Sequence, residues 1–404
     1  MKKSPIICGL DVGTSKICMI IVRQHPDGGL EFISSGYAES LGLNRGVVVD
    51  INAATDAIRK AANEAEKKAN ISVEWIRLGV GGGHFQSCNS RGAVAVTGDR
   101  HEVTLDLASQ VIAASQSIFV PADREILHTL SQEFFLDGHG GIKSPVGLVG
   151  SQLDVSVHII TCQSALTQNL INAVNHAEMN VQKVIAQPLA AAEAVLTKDE
   201  KDLGVVMIDI GSGSTNIAVF QRDAVWFTKI LPIGGHNFTR DLAIGLKTPL
   251  KDAELIKKDS GTVLIERIDP EDSVAVPGID VRDTHTVPRQ TVCNILRARA
   301  MELFELVGNE LRMATDGTPL AASIVITGGG SRLDGITELA EEILNMPARQ
   351  GLPMGISGLA DELLRPEYAT AVGLTLFGTG PQAIGVPPKG AQRFVSKFLS
   401  WMEK

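Results

Sequence analysis

The chain predicts an α/β architecture in two halves with a phosphate-binding crevice between them. Three observations carry this expectation. Apolar strand-like runs alternate with helical runs along the whole length, one Asp-Gly-Ser/Thr turn is used twice, and a late strand ends in a glycine triplet. The first turn is Asp11-Val12-Gly13-Thr14-Ser15-Lys16, between the apolar runs Ile6–Leu10 and Ile17–Val22. The second is Asp209-Ile210-Gly211-Ser212-Gly213-Ser214-Thr215-Asn216, between Val205–Ile208 and Ile217–Phe220. Glycines and hydroxyls between two such runs make a hairpin. Its tip offers backbone N–H groups and hydroxyls to an anion, and its aspartate can hold Mg²⁺ through water. Two such tips, one in each half, can grip a nucleotide's phosphates from opposite sides.

The remaining elements follow in order. From Asn52 to Lys68 the residues Ala54, Ile58, Ala61, Ala62 and Ala65 share one helical face. Ile76–Val80 is a short strand running into Gly81-Gly82-Gly83. From His84 to Thr161 the character changes to a compact inserted α+β subdomain. Strand-like pieces are expected at Ala93–Thr97, Ile126–Leu136 and Val155–Ile160, with one helix through Leu105, Ala108, Val111 and Ile112 and turns at Gly138–Gly141 and Ser144-Pro145. Leu166, Leu170, Ala173 and Val174 mark another helix, Val181–Ile185 a strand, and Gln187-Pro188-Leu189-Ala190-Ala191-Ala192-Glu193 leads to the second hairpin. Beyond it, Ile233-Gly234-Gly235 turns into a helix over Phe238–Gly245. A further helix follows Pro249, a favourable first-turn residue, and places Glu254 and Lys257 on one face. Gly261–Pro288 is polar and β-like, and a long helix covers Gln290–Ala314. The strand Ser323–Ile326 ends in Thr327-Gly328-Gly329-Gly330-Ser331, before a helix starting near Asp334. Small residues there let a flat ring or a phosphate approach the backbone.

Composition bounds the functional classes. At 404 residues the chain suits two to four domains. A net charge of −9 argues against a nucleic-acid partner. The five cysteines (Cys8, Cys18, Cys88, Cys162, Cys293) form no C-x-x-C and read as small buried hydrophobes in a reducing compartment. The nine histidines show no H-x-x-x-H spacing. The start, Met1-Lys2-Lys3 then Ile6–Leu10, mimics a signal peptide faintly, but Asp11 cuts its apolar run too short. No segment reaches the roughly 18 uninterrupted apolar residues of a membrane span. A P-loop, G-x-x-x-x-G-K-[ST], is absent, and no G-x-G-x-x-G opens a helix after the first strand.

Taken together, both hairpins, the Pro188 helix and the glycine triplet resemble the actin/Hsp70/sugar-kinase superfamily. The resemblance implies an actin-like (ribonuclease H-like) two-domain ATPase fold with ATP and Mg²⁺ between the domains. Leu10–Lys16 and Ile208–Thr215 match the phosphate loops, Gln187–Glu193 the first connecting helix, Ile326–Ser331 the adenosine loop and Glu367–Gly373 the second connecting helix. Such folds hinge at the connecting helices. Within the superfamily the chain resembles the FtsA family of bacterial cell division. The opening Gly9–Lys16, the insertion at Gly81-Gly82-Gly83, the stretch from Ile233-Gly234-Gly235 to Asp241-Leu242-Ala243 and the C-terminal tail carry that narrower match.

The resemblance implies four subdomains: 1A at 1–83, completed by 162–200 and 365–380; the FtsA-type insertion 1C at 84–161; 2A at 201–245, completed by 316–364; and 2B at 246–315. It also assigns roles. Asp11 and Asp209 would bracket a hydrated Mg²⁺. Thr14, Ser15, Ser212, Ser214, Thr215 and Asn216 would line the phosphates, with backbone N–H groups of Gly13, Gly211 and Gly213. Lys16 would neutralise phosphate or stand as an exposed hairpin lysine. Gly234 and Gly235 would belong to the nucleotide shell. Glu254 and Lys257 would hold the ribose or form a surface ion pair. Gly328, Gly329, Gly330 and Ser331 would flank the adenine. Gln187 stands where relatives keep a water-orienting Gln or Glu. An amide orients water but is a poor proton acceptor, so slow ATP hydrolysis at most is expected.

The tail can be read physically. Gly378–Gln392 is rich in Gly and Pro and reads as a tether, with its linker at 381–392. In 393–404, Phe394 with Phe398 and Val395 with Leu399 are four apart, Trp401 and Met402 extend the stripe, and Arg393, Lys397 and Lys404 flank it. A helix of that size is only about 18 Å long, too short to span a bilayer, and would lie in an anionic membrane interface. The alternative is docking on the protein's own core. Among partners, the resemblance implies the C-terminal peptide of FtsZ, met on the long helix by Arg299 and Glu302, which otherwise form an intrahelical pair. It further implies filaments with itself, other division proteins met through the insertion, and a peripheral location on the cytoplasmic face of the bacterial cell membrane at the division site. A related scaffold of the PilM or MreB type, or a small-molecule kinase of the same superfamily, are the other readings.

Overall fold

A computed structural model describes residues 5–98, 100–279, 284–314 and 323–379. The tail residues Phe394, Val395, Lys397, Phe398, Leu399, Trp401 and Met402 lie outside the described residues.

The chain opens with strands β1 (Ile6–Val12), β2 (Lys16–Gln24) and β3 (Leu30–Glu39), a small hairpin β4 (Leu43–Asn44) and β5 (Val47–Val48), helix α1 (Ile51–Ala69) and strand β6 (Trp75–Val80). Asp50 caps α1 by accepting from the N–H groups of Asn52 and Ala53, and the left-handed Asn70 ends it. The expected face of α1 is the buried one: Ala54, Ile58, Ala61, Ala62 and Ala65 are all inside.

The insertion comprises β7 (Gln86–Ala95), α2 (Leu105–Ser115), β8 (Arg124–Leu136), β9 (His139–Ile142) and β10 (Gln152–Gln163), in sheet order β7-β10-β8-β9. One face of this sheet packs on α2 through Val111, Ile112, Val155, Val157 and Ile159. The strand expected at Ala93–Thr97 in fact starts at Gln86. Its first half is polar because Ser87 and Asn89 donate their side chains to carbonyls of another strand, at Thr228 and Trp226, so no apolar period marks it. The Gly138–Gly141 turn is mostly strand β9, with Asp137-Gly138 at the tip.

The chain then returns through α3 (Ser164–His176), β11 (Asn180–Ala186), α4 (Gln187–Val195) and α5 (Lys198–Leu203). The second half contains β12 (Val205–Ile210), β13 (Thr215–Gln221), β14 (Ala224–Leu231), α6 (Gly235–Leu246), α7 (Leu250–Ser260), β15 (Ser273–Pro277), β16 (Thr284–Pro288), α8 (Arg289–Ala314), β17 (Ser323–Thr327), α9 (Ile336–Leu344), β18 (Ala348–Gln350) and α10 (Ala369–Leu376).

The two main sheets share one topology. The first runs β3-β2-β1-β6-β11 and the second β14-β13-β12-β17-β18. In each, three antiparallel strands adjoin two parallel ones. Each Asp-Gly turn therefore sits at the same place in its half, between the central strand and its antiparallel neighbour. Together with the inserted α+β layer, this is the actin-like α/β fold.

Helices α4 and α10 carry the chain between the halves and pack tightly on each other. A methyl built on Gly373 would fall 1.7 Å from the Ala190 carbonyl oxygen, so only glycine permits the crossing. The second connecting helix was expected over Glu367–Gly373. The structure instead has a 3₁₀ turn at Pro366–Tyr368 and an α-helix from Ala369 onward. Arg77 Nη1 clamps the carboxyl end of α10 by donating to the carbonyls of Thr375 (2.8 Å) and Phe377 (2.9 Å). Four cysteines are buried as expected. Cys88 is exposed, because it lies on the polar half of β7.

Candidate nucleotide-binding cleft

The two Asp-Gly turns face each other across one cavity of about 1000 Å³. Asp11 and Asp209, both buried, line it from opposite halves. The tips nearly touch: a methyl built on Gly213 would come 2.7 Å from Thr14 Oγ1. Gly13, Ser15, Lys16, Gly211, Ser212, Ser214 and Asn216 also line the cavity, as do Gln187, Gly235, Glu254, Lys257 and Gly328–Gly330.

Three expected residues are not brought to the cavity wall. Thr215 is fully buried and donates its hydroxyl to the Ile233 carbonyl (2.8 Å). Ser331 is spent inside its own turn, donating to the Gly328 carbonyl (2.8 Å). Gly234 packs against Ser212 and Ser214 one residue short of the lining. The sequence carried no sign of this, because each sits beside a residue that does face the space.

Neighbours hold each carboxylate. Gln187 Nε2 donates to Asp11 Oδ1 (3.0 Å). Asn216 Nδ2 (2.9 Å) and Thr370 Oγ1 (3.4 Å) donate to Asp209 Oδ2. Gly328, at φ +81°, leaves room for Asp209, whose Oδ1 would sit 2.3 Å from an added methyl. Burial pushes the Asp11 carboxyl up to about 6 against the opposing pull of Lys16, and it raises Asp209 as well. Lys16 is held below the usual lysine range by burial.

On the flank, Lys257 Nζ donates to Glu254 Oε2 (2.6 Å), Thr239 Oγ1 (2.9 Å) and the Gly235 carbonyl (3.1 Å). Glu254 and Lys257 thus form a half-buried cluster at the cavity wall rather than an exposed pair. The glycine triplet forms a 3₁₀ turn over Gly329–Arg332, and α9 starts at Ile336. Arg332 Nη1 there donates to Glu367 (3.0 Å). Thr370, Tyr368 and Glu367 were missed as lining residues. They precede or open a short apolar helix whose pattern advertises packing only. On α8, Arg299 makes a two-pronged contact with Asp241 of α6 (2.5 and 3.0 Å) and also bonds Glu302.

The residues present fit a magnesium nucleotide. The buried atoms Lys16 Nζ, Asn216 Oδ1 and Glu367 Oε2 have no hydrogen-bond partner, although all three residues line the cavity. A buried polar group without a partner is costly; a phosphate would accept from Lys16, and hydroxyls or a cation's waters would donate to the two oxygens. Among the described residues no cluster of three or more His, Cys, Asp or Glu could hold a metal directly. A cation here would rest on phosphate oxygens, water and the two aspartates. No described helix is long and apolar enough to cross a membrane.

Comparison with known proteins adds independent findings. The family described as "Cell division protein FtsA" matches residues 206–373, and "SHS2 domain inserted in FTSA" matches residues 82–161. The chain is 38% identical to the cell division protein FtsA of Pseudomonas aeruginosa over 386 residues, covering 96% of this chain and 92% of that protein. It is 32% identical to the Escherichia coli K12 cell division protein FtsA over 406 aligned positions, covering 99% and 96%. Among solved structures, PilM of a PilM–PilN type IV pilus biogenesis complex superposes with a TM-score of 0.66 at 17% identity, covering 93% of this chain and 99% of that one. MreB5 of Spiroplasma citri, solved bound to ADP, superposes at 0.55 and 13% identity, covering 93% and 97%.

Proposed function

The chain belongs to the FtsA family of bacterial cell-division proteins, and from that premise we propose that it binds Mg·ATP in the cleft and couples it to assembly on the cell membrane. The observation that carries this reading is the pair of opposed aspartate turns around Lys16, whose ammonium has no hydrogen-bond partner. The ADP-bound MreB5 of the same fold supports it.

Bound Mg·ATP would supply a polyanion and a cation that bridge the two halves. Thr14, Ser15, Ser212 and Ser214, with the N–H groups of Gly13, Gly211 and Gly213, would receive the phosphates. Asp11 and Asp209 would orient the cation's waters. Glu254 and Lys257 would take the ribose, and Gly328–Gly330 would lie against the base. Gln187 orients a water at best, since its amide already donates to Asp11 and cannot accept a proton. Slow hydrolysis follows, and the nucleotide acts chiefly as an assembly ligand.

The remaining roles rest on the family. FtsZ's C-terminal peptide would dock on the α6–α8 face, where Asp241 presents Arg299 beside Glu302. The insertion would meet filament neighbours and other division proteins. The amphipathic 393–404 segment would anchor the body to anionic lipid on the cytoplasmic face, weakly per copy and firmly in a filament. We divide the chain accordingly into 1A (1–83, 162–200, 365–380), 1C (84–161), 2A (201–245, 316–364), 2B (246–315), linker and anchor.

Cosedimentation with anionic liposomes tests the assembly reading. Wild type should pellet with liposomes, more so with ATP, and carry an FtsZ tail peptide with it. Deletion of 394–404 should leave the protein in the supernatant. A deleted protein that still pellets contradicts the anchor.

A further inference from the structure

We propose that Tyr368 is a positioning residue for nucleotide binding: its ring is the seat that the Lys16 ammonium occupies until phosphate draws it away. The inference rests on the nucleotide reading above and adds a competitor inside the cavity.

Lys16 Nζ lies 3.4 Å from the centroid of the Tyr368 ring. It is buried, has no hydrogen-bond partner, and faces the carboxylates of Asp11, Asp209 and Glu367 without a bond to any of them. An ammonium with three donors is ordinarily bonded when buried. Here the aromatic face takes that place through cation–π attraction. The ring is itself held, stacked at a tilt on Tyr37 with centroids 5.4 Å apart. Its phenol oxygen makes no hydrogen bond among the described residues, so the ring alone is what Lys16 uses.

The seat also stands at a mechanically sensitive place. Tyr368 closes the 3₁₀ turn that leads into α10. Two residues later Thr370 bonds Asp209 of the other half, while Arg77 holds the far end of α10 to β6. A phosphate that pulls Lys16 off the ring therefore releases a contact at the amino end of the helix that joins the halves. Because seat and phosphate compete for one ammonium, apparent nucleotide affinity is the intrinsic affinity multiplied by the fraction of protein in which Lys16 is off the ring.

Calorimetric titration of Mg·ATP into wild type and three variants tests this, alongside thermal melts of the nucleotide-free proteins. Tyr368→Leu removes the seat and should bind roughly 3- to 30-fold more tightly, the span of a cation–π contact, with a lower melting temperature when nucleotide-free. Tyr368→Phe keeps the face and should bind like wild type. Tyr368→Trp offers a stronger face and should bind more weakly, which keeps the test open even if the leucine variant does not fold. Leucine and tryptophan variants that bind like wild type, or a leucine variant that binds more weakly, overturn the proposal while leaving nucleotide binding intact. Wild type that fails to bind Mg·ATP at all removes the nucleotide reading, and the seat with it.

Discussion

Asp11 concentrates an electrostatic cost at the cavity wall. Its carboxyl is buried, and burial raises it from 3.8 to about 6. Between those values the folded protein binds the proton more tightly than the unfolded chain. The ionised form therefore costs stability, fully above the folded value and not at all below the unfolded one. Asp11→Asn should stabilise the nucleotide-free protein by about 1–3 kcal/mol near neutral pH, and the gain should shrink toward zero as pH falls to about 4. Thermal melts across that window check it. Equal melting temperatures at neutral pH would contradict the assignment. Asn keeps the acceptor for Gln187, so a lost bond does not confuse the comparison. Asp11 was legible in the sequence as a cavity residue because it belongs to a short contiguous turn. Thr370 and Tyr368 were not, because only tertiary packing brings α10 to the second aspartate.

At the scale of elements, the most consequential contact is one no periodicity announces. Edge strand β14 lies against the polar face of the inserted sheet. Ser87 Oγ donates to the Thr228 carbonyl (2.7 Å), Asn89 Nδ2 to the Trp226 carbonyl (3.2 Å) and Gln132 Nε2 to the Val225 carbonyl (3.1 Å). His158 Nδ1 lies 2.7 Å from Asn89 Oδ1, and its Nε2 lies 2.9 Å from Thr228 Oγ1. The insertion, covalently part of the first half, is thus latched to the second. Asn89 Oδ1 also accepts from Gln132 Nε2 (3.2 Å), so Asn89→Ala leaves His158 and Gln132 each short of a partner and should cost about 1–3 kcal/mol. It should also speed amide exchange in β14 and β7 with the cleft strands unaffected, and unchanged exchange there would sink the latch. Burial depresses His158 to about 4, so the unfolded chain takes up that proton first as pH falls below about 6.5. The stability is present above that point and is lost on acidification. These polar positions explain why the first half of β7 escaped the sequence reading, whereas β14 carries an apolar run that its sequence does not hide. Apolar alternation reports strands with one greasy face, and the first half of β7 has none. The helices were easier, since α1 shows its alanine face and Asp50 cap directly in the sequence.

The whole molecule repeats one device. Two sheets of matching order present matching turns to a shared crevice, while α4 and α10 cross at Gly373 to join them. The duplication was legible in the paired turns and in the order of motifs. The sheet order itself depends on long-range pairing, which no local pattern encodes. An opening of the cleft must work against both the helix crossing and the polar seam, so a ligand that binds both turns would bias the angle between the halves. The most direct measurement is titration of ATP into wild type and Asp209→Asn, each with and without Mg²⁺. Wild type should bind at one site with clear magnesium dependence, and the variant should bind roughly tenfold or more weakly with that dependence lost. Binding that is absent in wild type, or identical in both proteins, would contradict a nucleotide gripped between the two aspartate turns.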